Sequence, residues 1–210
     1  MTRKAAVLEL LVLAAAAAAV WAGEAGPTVY NFDGDKAGEV AKGWTGATGA
    51  WKVAADETAP SKPNVLAQTA ASPRPEFNVA LAAETNFKDL DLSVQLKAVS
   101  GKDDQGGGPV WRARDGKNYY VCRWNPLENN FRLYKVIDGK RTQLATADVK
   151  VEAGWHTIRV VMKGDAIECS LDCKKCLEAK DDALKDAGKV GLWTKADAAT
   201  YFDDLAVSGK

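Results

Sequence analysis

The alternation of apolar and polar positions is clearest at 89–98, where Leu90, Leu92, Val94, Leu96 and Ala98 interleave with Asp89, Asp91, Ser93, Gln95 and Lys97. A period of two puts these sets on opposite faces, which predicts a half-buried strand of about ten residues. The same period returns in Trp155–Lys163, and Gly164-Asp165 suits a hairpin leading into Ala166–Asp172. Shorter apolar runs predict strands at Thr28–Phe32, Trp51–Ala54, Asn64–Gln68, Lys189–Thr194 and Thr200–Val207. Trp44 and Trp51 flank a Gly/Thr/Ala loop, Pro60 and Pro63 mark another, and 180–187 is expected to hold one helical turn.

The stretch 106–141 organises the rest. It reads as three antiparallel strands, Gly107–Arg114, Asn118–Trp124 and Phe131–Ile137. Asp115-Gly116 breaks the first pair, and Asn125-Pro126 with Asn129-Asn130 breaks the second. Asp138-Gly139 supplies the positive φ of a tight turn into a fourth strand, Thr142–Ala147. Strict alternation sends Trp111, Ala113, Tyr120, Cys122, Trp124, Phe131, Leu133 and Ile137 to a core face. It sends Val110, Arg112, Arg114, Tyr119, Val121, Arg123, Arg132 and Tyr134 to the other face, and a bulge anywhere would exchange the two. A dozen or so short strands with no sustained helical period predict an all-β, two-sheet antiparallel sandwich, one domain over 23–210.

Composition narrows the class. Residues 1–22 have the form of a signal peptide: Arg3 and Lys4, an apolar run from Ala5 to Val20, then Val20-Trp21-Ala22 as a cleavage site. The run falls short of the roughly 20 residues that span a bilayer, so the expectation is an exported protein, periplasmic or extracellular, without membrane insertion after cleavage. The chain carries 28 basic and 28 acidic residues; without Arg3, Lys4 and Glu9 the balance is 26 to 27. That gives no support for a nucleic acid or an anionic membrane as partner.

The strand DLDLSVQLKAV, the meander GGGPVWRARDGKNYYVCRW…FRLYKVIDG, the Trp155-His156 strand with its hairpin partner, and the closing GLWTKADAATYFDDL resemble the concanavalin A-like lectin/glucanase superfamily. Within it the chain is most similar to secreted bacterial laminin-G-like and 3-keto-disaccharide hydrolase-like domains, the latter described as glycoside hydrolase family 16-like. The resemblance implies a jelly-roll sandwich and a carbohydrate partner. The Glu-x-Asp-x-(x)-Glu strand of family 16 glucanases has no counterpart here, and Gly107-Gly108-Pro109-Val110-Trp111-Arg112 lacks the Asn-Ser of the 3-keto-disaccharide group.

Tyrosine rings stack on pyranoses while arginine, asparagine and acidic groups bond hydroxyls, so Arg112, Arg114, Tyr119, Arg123, Arg132 and Tyr134 are candidate ligand-binding residues. Asn125, Trp193 and Lys195 are expected to frame the site from loops. An ordinary solvated sheet face is the competing reading. A glycosidase needs two acids about 5–9 Å apart; Glu128 and Asp197 are the weak catalytic candidates. Three functions stay open: an exported carbohydrate-binding domain, a diverged glycoside hydrolase, and a non-catalytic envelope interaction module.

No cofactor is expected. A calcium site would need Asp33 and Asp35 to meet Asp203 and Asp204 through paired terminal strands. Cys169, Cys173 and Cys176 have iron–sulfur-like spacing on an expected β-hairpin of an exported chain, and lack a fourth zinc ligand. Structural roles are expected instead: Cys169 or Cys173 bridged to Cys176, with Cys122 a buried hydrophobe. His156, the one histidine, is expected to be packed rather than catalytic.

Overall fold

The computed structural model describes residues 26–210; the expected leader lies outside them. Fifteen strands run in order: β1 (Thr28–Tyr30), β2 (Trp44–Thr48), β3 (Trp51–Ala55), β4 (Asn64–Gln68), β5 (Phe77–Ala82), β6 (Leu90–Ser100), β7 (Gly108–Asp115) and β8 (Asn118–Asn125). They continue with β9 (Asn130–Ile137), β10 (Lys140–Asp148), β11 (Trp155–Lys163), β12 (Ala166–Leu171), β13 (Lys174–Lys180), β14 (Lys189–Lys195) and β15 (Ala199–Gly209). One sheet has the order β13-β12-β11-β6-β15-β4-β3, with β1 also paired to β15; the other has the order β10-β9-β8-β7-β14-β5-β2. All pairings are antiparallel.

The core between the sheets joins Trp111, Tyr120, Cys122, Trp124, Phe131 and Leu133 of the β7–β9 meander to Leu90, Leu92, Val94 and Leu96 of β6 and to Ile158, Val160, Met162 and Phe202. The alternation of β6 is seen directly, its even positions from Leu90 to Leu96 buried and their neighbours half-buried. All four cysteines are thiols. Cys122 and Cys169 are buried in this core, and burial with the neighbouring Cys169 thiol pushes Cys122 well above the ordinary thiol range.

Turn chemistry sets the register where the sequence supplies it. Asp138 and Gly139 take φ of 50° and 79°, the paired positive values of a tight hairpin. Asp172 and Cys173 do the same at 48° and 65° in the β12–β13 turn. A bulge after Cys169 then leaves Cys169 opposite Leu177, with Cys176 outside the register.

Two local expectations are corrected, and one strand was not anticipated. Residues 181–188 form no helix; β13 ends at Lys180 and bends follow. Trp44–Thr48 is a strand, not a loop. Phe77–Ala82 is a strand between β14 and β2, nearly all of it buried, and burial on both faces removes the period-two signal.

Candidate functional site

A second apolar cluster covers the outer face of the seven-stranded sheet: Val79, Leu81, Val110, Ala113, Tyr119, Val121, Tyr134, Val136 and Trp193, with Phe77 against it. An outer sheet face would ordinarily be wet, and two hairpin tips explain why this one is not. The β7–β8 tip reaches β2, so that a Cβ on Gly116 would lie 2.9 Å from the Ala47 Cβ. The β9–β10 tip is tied to it, Gly139 N donating to Lys117 O at 2.9 Å and Asp138 N to Asn118 Oδ1 at 3.0 Å.

Beneath these tips Trp193 donates its indole N–H to the Tyr119 hydroxyl at 3.1 Å, and its ring packs on Phe77 with centroids 5.3 Å apart. Arg141 crosses above, its guanidinium 4.3 Å from the Tyr134 ring centroid, 5.3 Å from Phe77 and 5.8 Å from Trp193. A cleft of about 570 Å³ opens here, lined by Thr48, Glu76, Phe77, Lys117, Arg141 and Lys195 among others.

Beside the aromatic floor lies a polar cluster. Arg123 and Arg132 are cross-strand partners, a like-charge pair that would repel. Glu128 resolves it: its Oε2 accepts from Arg123 Nη2 at 2.9 Å, Arg132 Nη1 at 3.2 Å and Asn130 Nδ2 at 2.9 Å. Burial works to raise the Glu128 carboxyl, but these donors and the two arginine charges outweigh it and hold it at about 2. Asn125 connects the next group, its Nδ2 donating to Asp104 Oδ1 at 2.7 Å while Lys195 Nζ pairs with Asp104 Oδ2 at 2.9 Å. Satisfaction is incomplete. Arg123 is 1 % exposed, yet its Nε and Nη1 have no partner, nor do Arg141 Nη1 and Asn130 Oδ1. A buried donor without a partner costs about 1–3 kcal/mol.

The structure therefore brings together Tyr119, Arg123, Asn125, Arg132, Tyr134, Trp193 and Lys195. Trp193 is a mid-strand floor residue rather than part of a framing loop. Arg112 is not brought there. Its φ of 47° and the register break between Trp111 and Asp115 mark a bulge, which sends Arg112 off this face and puts Ala113 onto it. The Arg112 guanidinium instead donates to Lys88 O (2.7 Å), Leu184 O (2.9 Å) and Gly164 O (2.7 Å), with Asp89 at 3.4 Å. Arg114 is exposed, paired with Asp186 at 3.1 Å.

Neither weak catalytic candidate is placed as a proton donor. Glu128 is held ionised. Asp197 is raised by burial but lowered overall by the main-chain N–H groups of Lys102, Asp103 and Asp104, which its carboxylate accepts at 2.6–3.2 Å. His156 is packed edge-on against Trp124 at 4.6 Å, with Nδ1 on Asp172 and Nε2 on Glu152 O, each at 2.7 Å.

The calcium candidates are dispersed. β1 does pair with β15, but Asp33 accepts from Asn64 N, Asp203 from Ser61 and Asp204 from Gln95. Among the described residues no group of three or more His, Cys, Asp or Glu is arranged to hold a metal ion.

Pure alternation missed Phe77, Asp104, Lys117 and Arg141. Arg141 was recoverable: two residues beyond the Asp138-Gly139 turn it must pair with Val136, itself opposite Tyr119.

No family model matches the chain, and no curated protein matches it in sequence. Solved structures do match in shape. The carbohydrate binding module CBM66 from Bacillus subtilis superposes with a TM-score of 0.67 at 18% identity, over 80% of this chain and 96% of that one. A Bacillus licheniformis β-glucanase gives 0.57 at 12% identity over 89% and 99%. A putative glycosyl hydrolase from Parabacteroides distasonis gives 0.53 at 11% over 82% and 90%. The chain is an all-β concanavalin A-like jelly-roll sandwich.

Proposed function

We propose that the outer face of the seven-stranded sheet binds carbohydrate. The observation that carries this reading is the cleft in which half-buried Phe77 is flanked by Arg141, Lys117, Lys195 and Glu76, backed by the buried Tyr119, Tyr134 and Trp193 and by the Arg123–Glu128–Arg132 and Asn125–Asp104–Lys195 polar cluster. A flat apolar ring beside a few fixed hydrogen-bonding groups is the chemistry that suits a sugar, apolar on one face and ringed by hydroxyls. The fold supports it through its resemblance to a carbohydrate binding module and to a glucanase. Binding is favoured over hydrolysis because a carboxyl held at about 2 is a poor proton donor near neutral pH.

Affinity electrophoresis through gels containing individual polysaccharides tests the reading. At least one polysaccharide retards the wild type, and Phe77→Ala loses about tenfold in affinity with the fold intact. If no polysaccharide retards the protein, the reading fails. We also propose that the protein is exported, on the strength of residues 1–22. Terminal sequencing of the mature protein then starts at Gly23, and a chain that retains Met1 in the cell contradicts export.

A further inference from the structure

The chain as a whole is charge-balanced, but the cleft is not. Three cations line it, Lys117, Arg141 and Lys195, against one carboxylate, Glu76. Lys195 is answered by Asp104. Arg141 has no carboxylate partner among the described residues; its contacts are the faces of three rings. Rings attract a cation through their faces but offer its N–H groups no acceptor, and Arg141 Nη1 is buried without one. Arg123, a buried cation whose charge reaches Arg141, leaves two further N–H groups unpaired. Burial, joined by the Arg123 charge, pulls Arg141 below the ordinary guanidinium range against the attraction of Tyr134, Asp104 and Glu128. Arg141 stands on β10, the edge strand of its sheet, where a side chain can re-aim without disturbing a neighbour on its far side.

We infer that the carbohydrate bound in this cleft is acidic, with a uronic-acid carboxylate received by Arg141 and assisted by Lys117. A planar carboxylate takes two parallel N–H bonds from a guanidinium, which matches what Arg141 lacks. The sugar ring then occupies the space bounded by Phe77, Thr48 and Glu76, where Glu76 can accept from hydroxyls. The inference rests on the carbohydrate reading and narrows it to one chemical class.

The test compares acidic oligosaccharides with their uncharged forms by calorimetry: trigalacturonate with its methyl ester, and trimannuronate with mannotriose. Sulfated galactan serves as a second anionic probe. At least one acid binds about tenfold more tightly than its neutral partner, and raising the salt from 50 to 500 mM weakens the acid alone. Arg141→Gln abolishes the preference, so that each acid and its neutral partner bind alike. Lys117→Gln, at an exposed turn, reduces the preference about threefold and serves if Arg141→Gln does not fold. Equal binding of acids and their neutral partners overturns the inference and leaves the carbohydrate reading standing. Preference for sulfated galactan over both uronates overturns the carboxylate assignment. No binding of any glycan overturns both.

Discussion

Arg112 and Arg123 are both buried arginines of the same meander, eleven positions apart in the chain. All three guanidinium nitrogens of Arg112 are engaged, tying the β5–β6 loop, the β11–β12 turn and the β13–β14 connection to β7. Arg123 uses one nitrogen, on a half-exposed Glu128, and leaves two bare. A saturated buried cation is an architectural tie. An under-used one, beside aromatic rings and a cleft, retains the capacity to bind something else. The same residue type therefore does different work at the end of the sandwich and on its outer face.

The comparison breaks most sharply under substitution. Arg112→Met strands three main-chain carbonyls and costs about 3–5 kcal/mol in urea unfolding. Arg123→Met changes stability by less than about 1.5 kcal/mol, since an apolar side chain of similar volume replaces an incompletely paired cation. It nevertheless removes retardation by the retaining polysaccharide. Equal destabilisation by the two would erase the distinction.

The two arginines also show what was legible in the sequence. Turn residues and alternation located the meander and, Ala113 apart, its core face, because period-two burial and Asp-Gly turns are local properties. They failed at Arg112, where one residue with φ of 47° reverses the phase and nothing in the local composition announces it. They failed again at β5, where burial on both faces leaves no alternation to read. Asp104 and Phe77 come from a loop and a strand distant in sequence, so their places against Asn125 and Trp193 depend on how the sheet closes rather than on any motif.

Acid titration sharpens the electrostatic side. Glu128 sits below its ordinary value in the folded state, so its stabilisation is present above about pH 4.5 and disappears as pH falls through about 2. Glu128→Gln removes about 1 kcal/mol of that pH dependence, discounted for the half-exposed side chain. Asp203 behaves oppositely. Burial raises it to about 6, and that outweighs its bonds from Ser61 and Asp204 N. Its contribution is full below about pH 4 and is lost as pH rises through 6. Asp203→Asn flattens that fall, which unfolding measured at pH 4 and pH 7 reads directly. The smallest effect belongs to Arg114→Ala. Its exposed pair with Asp186 predicts less than about 0.5 kcal/mol in stability and unchanged glycan retention.

The measurement that bears most directly on the account is amide and side-chain chemical-shift mapping during titration with the polysaccharide fragment that retards the protein best. The account predicts the largest shifts at Phe77, Lys117, Arg141, Lys195 and the Trp193 indole N–H, with Arg112 and its partners unmoved. Shifts centred on the eight-stranded sheet, or on the Arg112 end of the sandwich, would contradict it.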